Sequence, residues 1–252
     1  MSTKQAAMMV LADDNFSTIV NAVRRGRTIY DNIVKVVRFR LATTLGFATL
    51  FLLAVTFGIA DVKPFTAIAI LWVIIVMDGP PAMALGIDPT NRDVMRRRPR
   101  PRQQRIITRP RCQSIGLSAA VMAASTLAVL AWAPGTEPVA GTATVAGTMA
   151  FNTFVLFQFF NLLNSRNETR TVFHPDTLTN GWLWTSLAAV IALQIAVTHL
   201  GPLQRLFDTT TITAAHWAAC VVVASSVLWI EEARKLTHRT RTRTNQAQEN
   251  TR

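Results

Sequence analysis

The sequence predicts an all-α polytopic membrane protein with six transmembrane helices, and three observations carry that prediction. Half of the 252 residues are hydrophobic, and they fall in blocks rather than at amphipathic spacing. Each block approaches the roughly 20 residues that cross about 30 Å of hydrocarbon. The spans read at 41–60, 64–86, 113–133, 143–164, 181–200 and 212–231. Second, the net charge of +12 is concentrated in alternate connections, as the positive-inside rule expects of a polytopic protein. Third, the apolar run from Leu71 to Pro89 places Asp78 beside Gly79, Pro80 and Pro81 in a segment long enough to cross a bilayer.

Residues 1–40 read as soluble. Ala6 to Ala12 is a short apolar run suited to one buried strand, and Asp13-Asp14-Asn15 is a turn and helix-cap cluster. The helix that follows carries Ile19, Val20 and Val23 on one face. After Gly26, the stretch Thr28 to Arg40 places Ile29, Ile33, Val36 and Val37 at helical spacing and enters the first span without Pro or Gly. A single long helix, part stalk and part span, is the expectation. A lone strand needs partners in a sheet, so the N-terminal piece reads as the end of a domain otherwise absent from this sequence.

The second span contains Asp78. A charge near the bilayer centre costs roughly 2.5–3.5 kcal/mol on insertion scales, so an acid there marks a functional site, here for a cation. Gly79, Pro80 and Pro81 are expected to break the helix beside it, freeing carbonyls that protein, water or an ion must satisfy. The alternative is a kinked helix whose Asp78 bonds a neighbouring side chain.

Nine arginines lie between Arg92 and Arg111, more basic residues follow Glu231-Glu232, and Arg24, Arg25, Arg27, Lys35, Arg38 and Arg40 precede the first span. The opposite connections, Asp61 to Lys63, Pro134 to Thr142 and Leu200 to Thr211, hold only Lys63 and Arg205. Both termini are therefore expected in the cytoplasm of a multi-pass cell-membrane protein. The loop 91–111 reads as a topology and anionic-lipid signal, so the expected partner is the lipid bilayer and not nucleic acid. Glu231-Glu232 with Arg234-Lys235 reads as a solvated end of the last span. His199 and His216 fall at outer span ends and read as structural, and Gln194 is expected to make one interhelical hydrogen bond. Cys112 and Cys220 have no metal or redox spacing. The first twenty residues contain Lys4, Asp13 and Asp14 and no long apolar core, so the first span is expected to direct insertion.

Several of these segments match a known family. Lys4-Gln5-Ala6-Ala7, Met9 to Val20, and Gly26 to Lys35 closely resemble the end of the phosphorylation domain and the stalk of cation-transporting P-type ATPases of the calcium-pump kind. Asp78-Gly79-Pro80-Pro81-Ala82 with Leu85-Gly86-Ile87-Asp88-Pro89, then Asp93 to Arg100, resembles that family's sixth transmembrane helix and the loop after it. Phe157 to Arg166 is similar to its eighth. The likeness covers nearly the whole chain and weakens after about residue 180. It implies residues 1–26 as a remnant of the α/β phosphorylation domain, 27–40 as a stalk helix, 41–232 as the six-helix C-terminal membrane domain and 233–252 as a basic cytoplasmic tail.

The resemblance also sharpens the site. The calcium-pump pattern places Asn, Thr and Asp on the sixth helix; here Ile74 and Met77 stand at the first two positions and only Asp78 is kept. On the fifth helix, Thr44 and Phe47 stand where the family has Asn and Glu, and on the eighth, Gln158 stands where it has an acid. The implied cation ligands are thus Asp78, Thr44 and Gln158, with Asp78 the candidate for metal contact. Calcium takes about 6–8 oxygens, which these residues and a few carbonyls do not supply; a monovalent cation or a proton suits a lone Asp better.

No Asp-Lys-Thr-Gly phosphorylation motif occurs in the sequence. No catalytic residue is therefore assigned, and the resemblance calls for ATP and magnesium only where the missing domains are supplied. The expected function is the membrane segment of an ATP-driven cation pump, truncated or split, pairing with an N-terminal ATPase half and a small cation. The alternative is a non-catalytic remnant or regulatory subunit that pairs with an intact ATPase.

Overall fold

In the computed structural model, residues 16–58, 65–91, 93–97, 101, 106–133, 143–168 and 171–249 are described. The strand expected at Ala6 to Ala12 lies outside them. The chain enters as α1, Phe16–Thr56, a rod about 60 Å long at 1.5 Å per residue. It runs through the boundary expected between residues 26 and 27 without interruption. Gly26 has open space around it, and a single internal glycine costs only about 1 kcal/mol against alanine, too little to stop a helix this long.

The second span is built in pieces. Its first helix is α2, Ala67–Trp72, capped by Thr66, whose Oγ1 accepts from the Ala69 N–H at 3.2 Å. A π-helical turn, Val73–Met77, follows, and then α3, Gly79–Gly86. The interruption therefore lies just before Gly79-Pro80-Pro81, not at it. The Asp78 N–H reaches back five residues to the Val73 carbonyl at 3.0 Å. The prolines fall in the first turn of α3, where a missing N–H costs no helical bond. The span is widened and restarted rather than unwound.

Arg109–Trp132 forms α4, with Pro110 in its first turn. Val145–Arg166 forms α5, capped by Thr144, and Gly181–His199 forms α6, capped by Asn180. A short α7, Gly201–Phe207, leads to α8, Ala214–Glu249. Among the described residues six segments are long and apolar enough to cross a membrane: α1, α2 with α3, α4, α5, α6 and the first part of α8. Number and order agree with the sequence expectation, and no strand occurs among the described residues.

The centre is α5, buried along nearly its whole length. Near its start an aromatic cluster of Phe47, Phe51, Phe65, Phe151 and Phe154 joins α1, α5 and the segment before α2, with Phe47 and Phe154 meeting edge to face at 5.2 Å between centroids. Toward the end of α5, Phe39, Leu85, Leu162, Leu183 and Leu228 form a second core. In lipid, close packing rather than expulsion of water holds helices together, so small residues matter at contacts. Gly46 of α1 illustrates this: a Cβ there would lie 3.4 Å from Met122 Cβ and 3.5 Å from Ala119 Cα of α4.

Candidate cation site and buried ion pairs

Asp78 caps the π turn and is 3% exposed. A π turn is an uncommon feature found often at functional sites, and here it swings the carboxylate toward α1. Its Oδ2 lies 3.4 Å from Arg40 Nη1, while Oδ1 is buried without a hydrogen-bond partner among the described residues. The acid thus has a tethered cation on one oxygen and an unused acceptor on the other. Thr44 sits one helical turn from Arg40 on the same face of α1 and is exposed.

Gln158 occupies a separate, small cavity of about 10 Å³, room for a single water, lined among others by Phe39, Met77, Pro81 and Val190. Neither polar atom of its amide has a hydrogen-bond partner among the described residues, although the residue is 3% exposed. Met77 and Pro81 flank Asp78 in the chain, so Gln158 touches the distorted segment, but Asp78 does not line that cavity. Asp78 and Gln158 thus both adjoin the π turn, and Thr44 lies on the face of α1 that carries Arg40. Gly79 faces open space, and Pro80 and Pro81 shape the turn by omitting donors. No group of three or more His, Cys, Asp or Glu side chains suited to a metal ion occurs among the described residues.

Polar chemistry is denser where the middle of α1, the ends of α3 and α5 and the middle of α8 meet than sequence reading expected. Asp88, just after α3, accepts from Lys35 Nζ at 2.5 Å, from Arg166 Nε at 3.1 Å and from Asn180 Nδ2 at 2.9 Å. Arg166 also donates to the Thr177 carbonyl, and Asn32 Nδ2 holds the Asp88 carbonyl at 2.9 Å. One carboxylate so ties α1, α3, α5 and the start of α6.

The Glu231-Glu232 turn, expected to be solvated, is instead buried, with Glu231 1% exposed. The reason is that α8 continues as one helix past its apolar stretch and packs this charged turn against α1 and α4. Glu231 Oε1 accepts from Ser114 Oγ at 2.9 Å and from Arg234 Nη2 at 2.6 Å, with Arg38 Nη2 at 3.5 Å. Glu232 Oε1 accepts from the Val172 N–H and from Lys235 Nζ, both at 3.0 Å. Beside them Glu168 forms a two-pronged pair with Arg111, both bonds at 2.9 Å. Burial pushes the Glu168 carboxyl up, but the Arg111 hydrogen bond, with the charges of Arg38, Arg111 and Arg234, outweighs it and holds the group below the ordinary carboxylate value.

Toward the other end, Gln194 makes two interhelical bonds where one was expected. Its Oε1 accepts from Trp72 Nε1 at 3.0 Å, and its Nε2 donates to Asn152 Oδ1 at 2.6 Å. His199 accepts from Trp217 Nε1 at 3.2 Å, a structural role. Arg40, Asp88 and Glu231 stood in the sequence only as topology charge, family motif and solvated helix end, and none was given a role in a site. Their signal was present only as charge beside an apolar span, which reads equally well as topology.

The sequence holds no Asp-Lys-Thr-Gly motif. Residues 62–237 match the family described as "Cation transporting ATPase, C-terminus". The chain is 38% identical over 234 residues to human calcium-transporting ATPase type 2C member 2, covering 93% of this chain and 24% of that protein. It is 36% identical to calcium-transporting ATPase 1 of Schizosaccharomyces pombe, over 92% of this chain and 25% of the relative. To mouse calcium-transporting ATPase type 2C member 1 it is 35% identical, over 94% and 25% respectively. The chain therefore spans about a quarter of the relatives it matches. With its six membrane helices, it belongs to the family of cation-transporting P-type ATPases, as part of their C-terminal membrane region.

Proposed function

We propose that these helices form the C-terminal part of the cation path of an ATP-driven pump, and that the phosphorylation and nucleotide-binding chemistry comes from sequence outside these 252 residues, on the same polypeptide or on a separate N-terminal half. The observation that carries this reading is Asp78, a buried acid with a free acceptor oxygen at a π turn inside a membrane span. An uncompensated acceptor in that setting is costly unless a cation, proton or water meets it. Asp78, Thr44 and Gln158 supply fewer oxygens than calcium's usual 6–8, so the transported ion is a small cation needing few ligands. The basic end faces the cytoplasm of the cell membrane, with both termini on that side.

A second reading, a non-catalytic subunit or remnant, is favoured by one specific contact. Arg40 already stands 3.4 Å from Asp78 and can serve as its permanent counter-ion, so no transported ion is needed to balance the charge. Two measurements test these readings, and the second separates them. The 252-residue chain alone is expected to form no phosphoenzyme from labelled ATP; clear phosphorylation would overturn the division of labour. Fused to the catalytic portion of a calcium-transporting relative and reconstituted, it is expected to support ATP-dependent cation uptake that Asp78→Asn lowers by roughly an order of magnitude. Unchanged uptake in that variant would leave Asp78 a structural partner of Arg40.

A further inference from the structure

At the basic end of the bundle, α1, the segment after α3, the start of α4 and the end of α5 enclose an open cavity of about 250 Å³. Lys35, Arg38, Arg97, Arg111 and Arg166 line it, with Asp31 and Glu168 the acids among its walls. The ion pairs around it do not balance. Lys35 and Arg166 share Asp88, and Arg38 and Arg234 share Glu231, so two carboxylates serve four cations. Arg97 pairs with Asp31, and Arg111 with Glu168. Among these pairs of described residues, six cations face four acids, an excess of two positive charges.

The excess is held where water screens it poorly. Lys35, Arg38 and Arg166 are 5–6% exposed, and buried charge without full compensation is expensive. Arg38 adds an independent sign: its Nε is buried without a hydrogen-bond partner among the described residues, although a guanidinium offers five donors in a fixed fork suited to phosphate oxygens.

We propose that this cavity is a binding site for a dianionic phosphate group, supplied either by a phosphoinositide headgroup in the adjoining leaflet or by inorganic phosphate. A phosphate monoester carries close to two negative charges and several strong acceptors, which answers both the charge excess and the idle donor. The lipid source follows from position. The cavity lies where α4 begins and α5 ends, the level at which basic pockets between transmembrane helices meet anionic headgroups. It also rests on the basic end facing the anionic leaflet, as proposed above.

The test uses the full chain in phosphatidylcholine nanodiscs, with phosphatidylinositol monophosphate as one probe and inorganic phosphate as the other. Lipid retention is read by native mass spectrometry, and phosphate by its competition with the lipid. The monophosphate lipid is expected to be retained in preference to phosphatidylinositol, which lacks the monoester. Arg97→Gln, at a half-exposed wall residue and expected to fold as the unaltered protein does, is expected to weaken retention roughly tenfold or more, and Arg38→Gln to do the same where it folds. Arg205→Gln, on the opposite side of the bundle, leaves it unchanged. Competition by inorganic phosphate that Arg97→Gln weakens equally assigns the soluble source to the same site. Retention of both lipids alike with no phosphate competition, or retention by Arg97→Gln equal to that of the unaltered protein, overturns the proposal. Either result leaves the transport reading, tested through Asp78, untouched.

Discussion

Asp88 ties four segments together, because a carboxylate 5% exposed accepts at once from Lys35, Arg166 and Asn180. Converting it to the isosteric amide leaves two buried cations without a counter-charge, a change that costs about 3–5 kcal/mol when a buried pair is broken. Asp88→Asn is therefore expected to lower resistance to denaturation steeply in detergent; a midpoint within error of the unaltered protein would show that the pairs contribute nothing. Glu168 makes the softer counterpart. Its carboxyl is held below the ordinary value of 4.5, so its folded-state pKa is depressed. The stability it adds is fully present above pH 4.5 and is lost as the pH falls through the lower folded value. Arg111→Gln should flatten that acid limb of the stability profile, and an unchanged limb would remove the pair as its cause. Residue by residue, the sequence disclosed what was anomalous in one dimension. Asp78 stands out because its neighbours are apolar. Arg40, Lys35 and Glu231 sit at the margins of spans, where charge is ordinary, and only the fold reveals that each meets an opposite charge from another element.

Among the elements, the spans were legible because hydrocarbon thickness sets their length, and all six appear where blocks of apolar residues predicted them. The π turn was not. Its sequence, Val73–Met77, is uniformly apolar and has no helical or extended period to betray an extra residue per turn. The prolines after it pointed to the right neighbourhood while misplacing the break by a few residues, since they start a helix as readily as they stop one. Contact between elements follows the size of single side chains. Gly46 brings α1 against α4 with a Cβ's worth of room at 3.4–3.5 Å, which is ordinary van der Waals distance for one methyl and no more. Gly46→Ala is expected to fold as before, whereas Gly46→Leu should force the two helices apart and reduce the folded yield in detergent several-fold. Equal yields would mean that the interface is looser than its geometry.

For the whole molecule, charge asymmetry and fold agree on an end-to-end polarity. Lys35, Arg38, Arg111, Arg166 and Arg234 gather at one end of the bundle as members of the network around Asp88, Glu168 and Glu231, whereas Gln194, Asn152, Trp72 and the His199–Trp217 pair mark the other. The ion pairs give this polarity a second cause besides insertion: inverting the protein would place the same buried network under a different surface potential. Cysteine chemistry offers a direct reading, because the two thiols divide cleanly. Cys112 is exposed at the start of α4 in the basic end, and Cys220 is buried in α8, its thiol 3.5 Å from the Met149 carbonyl. A membrane-impermeant maleimide is therefore expected to spare intact cells, to label the protein once the membrane is opened, and to lose that labelling in Cys112→Ser. Labelling of intact cells that depends on Cys112 would place the basic end outside, reverse the topology, and detach the phosphate cavity from the anionic inner leaflet on which its lipid source depends.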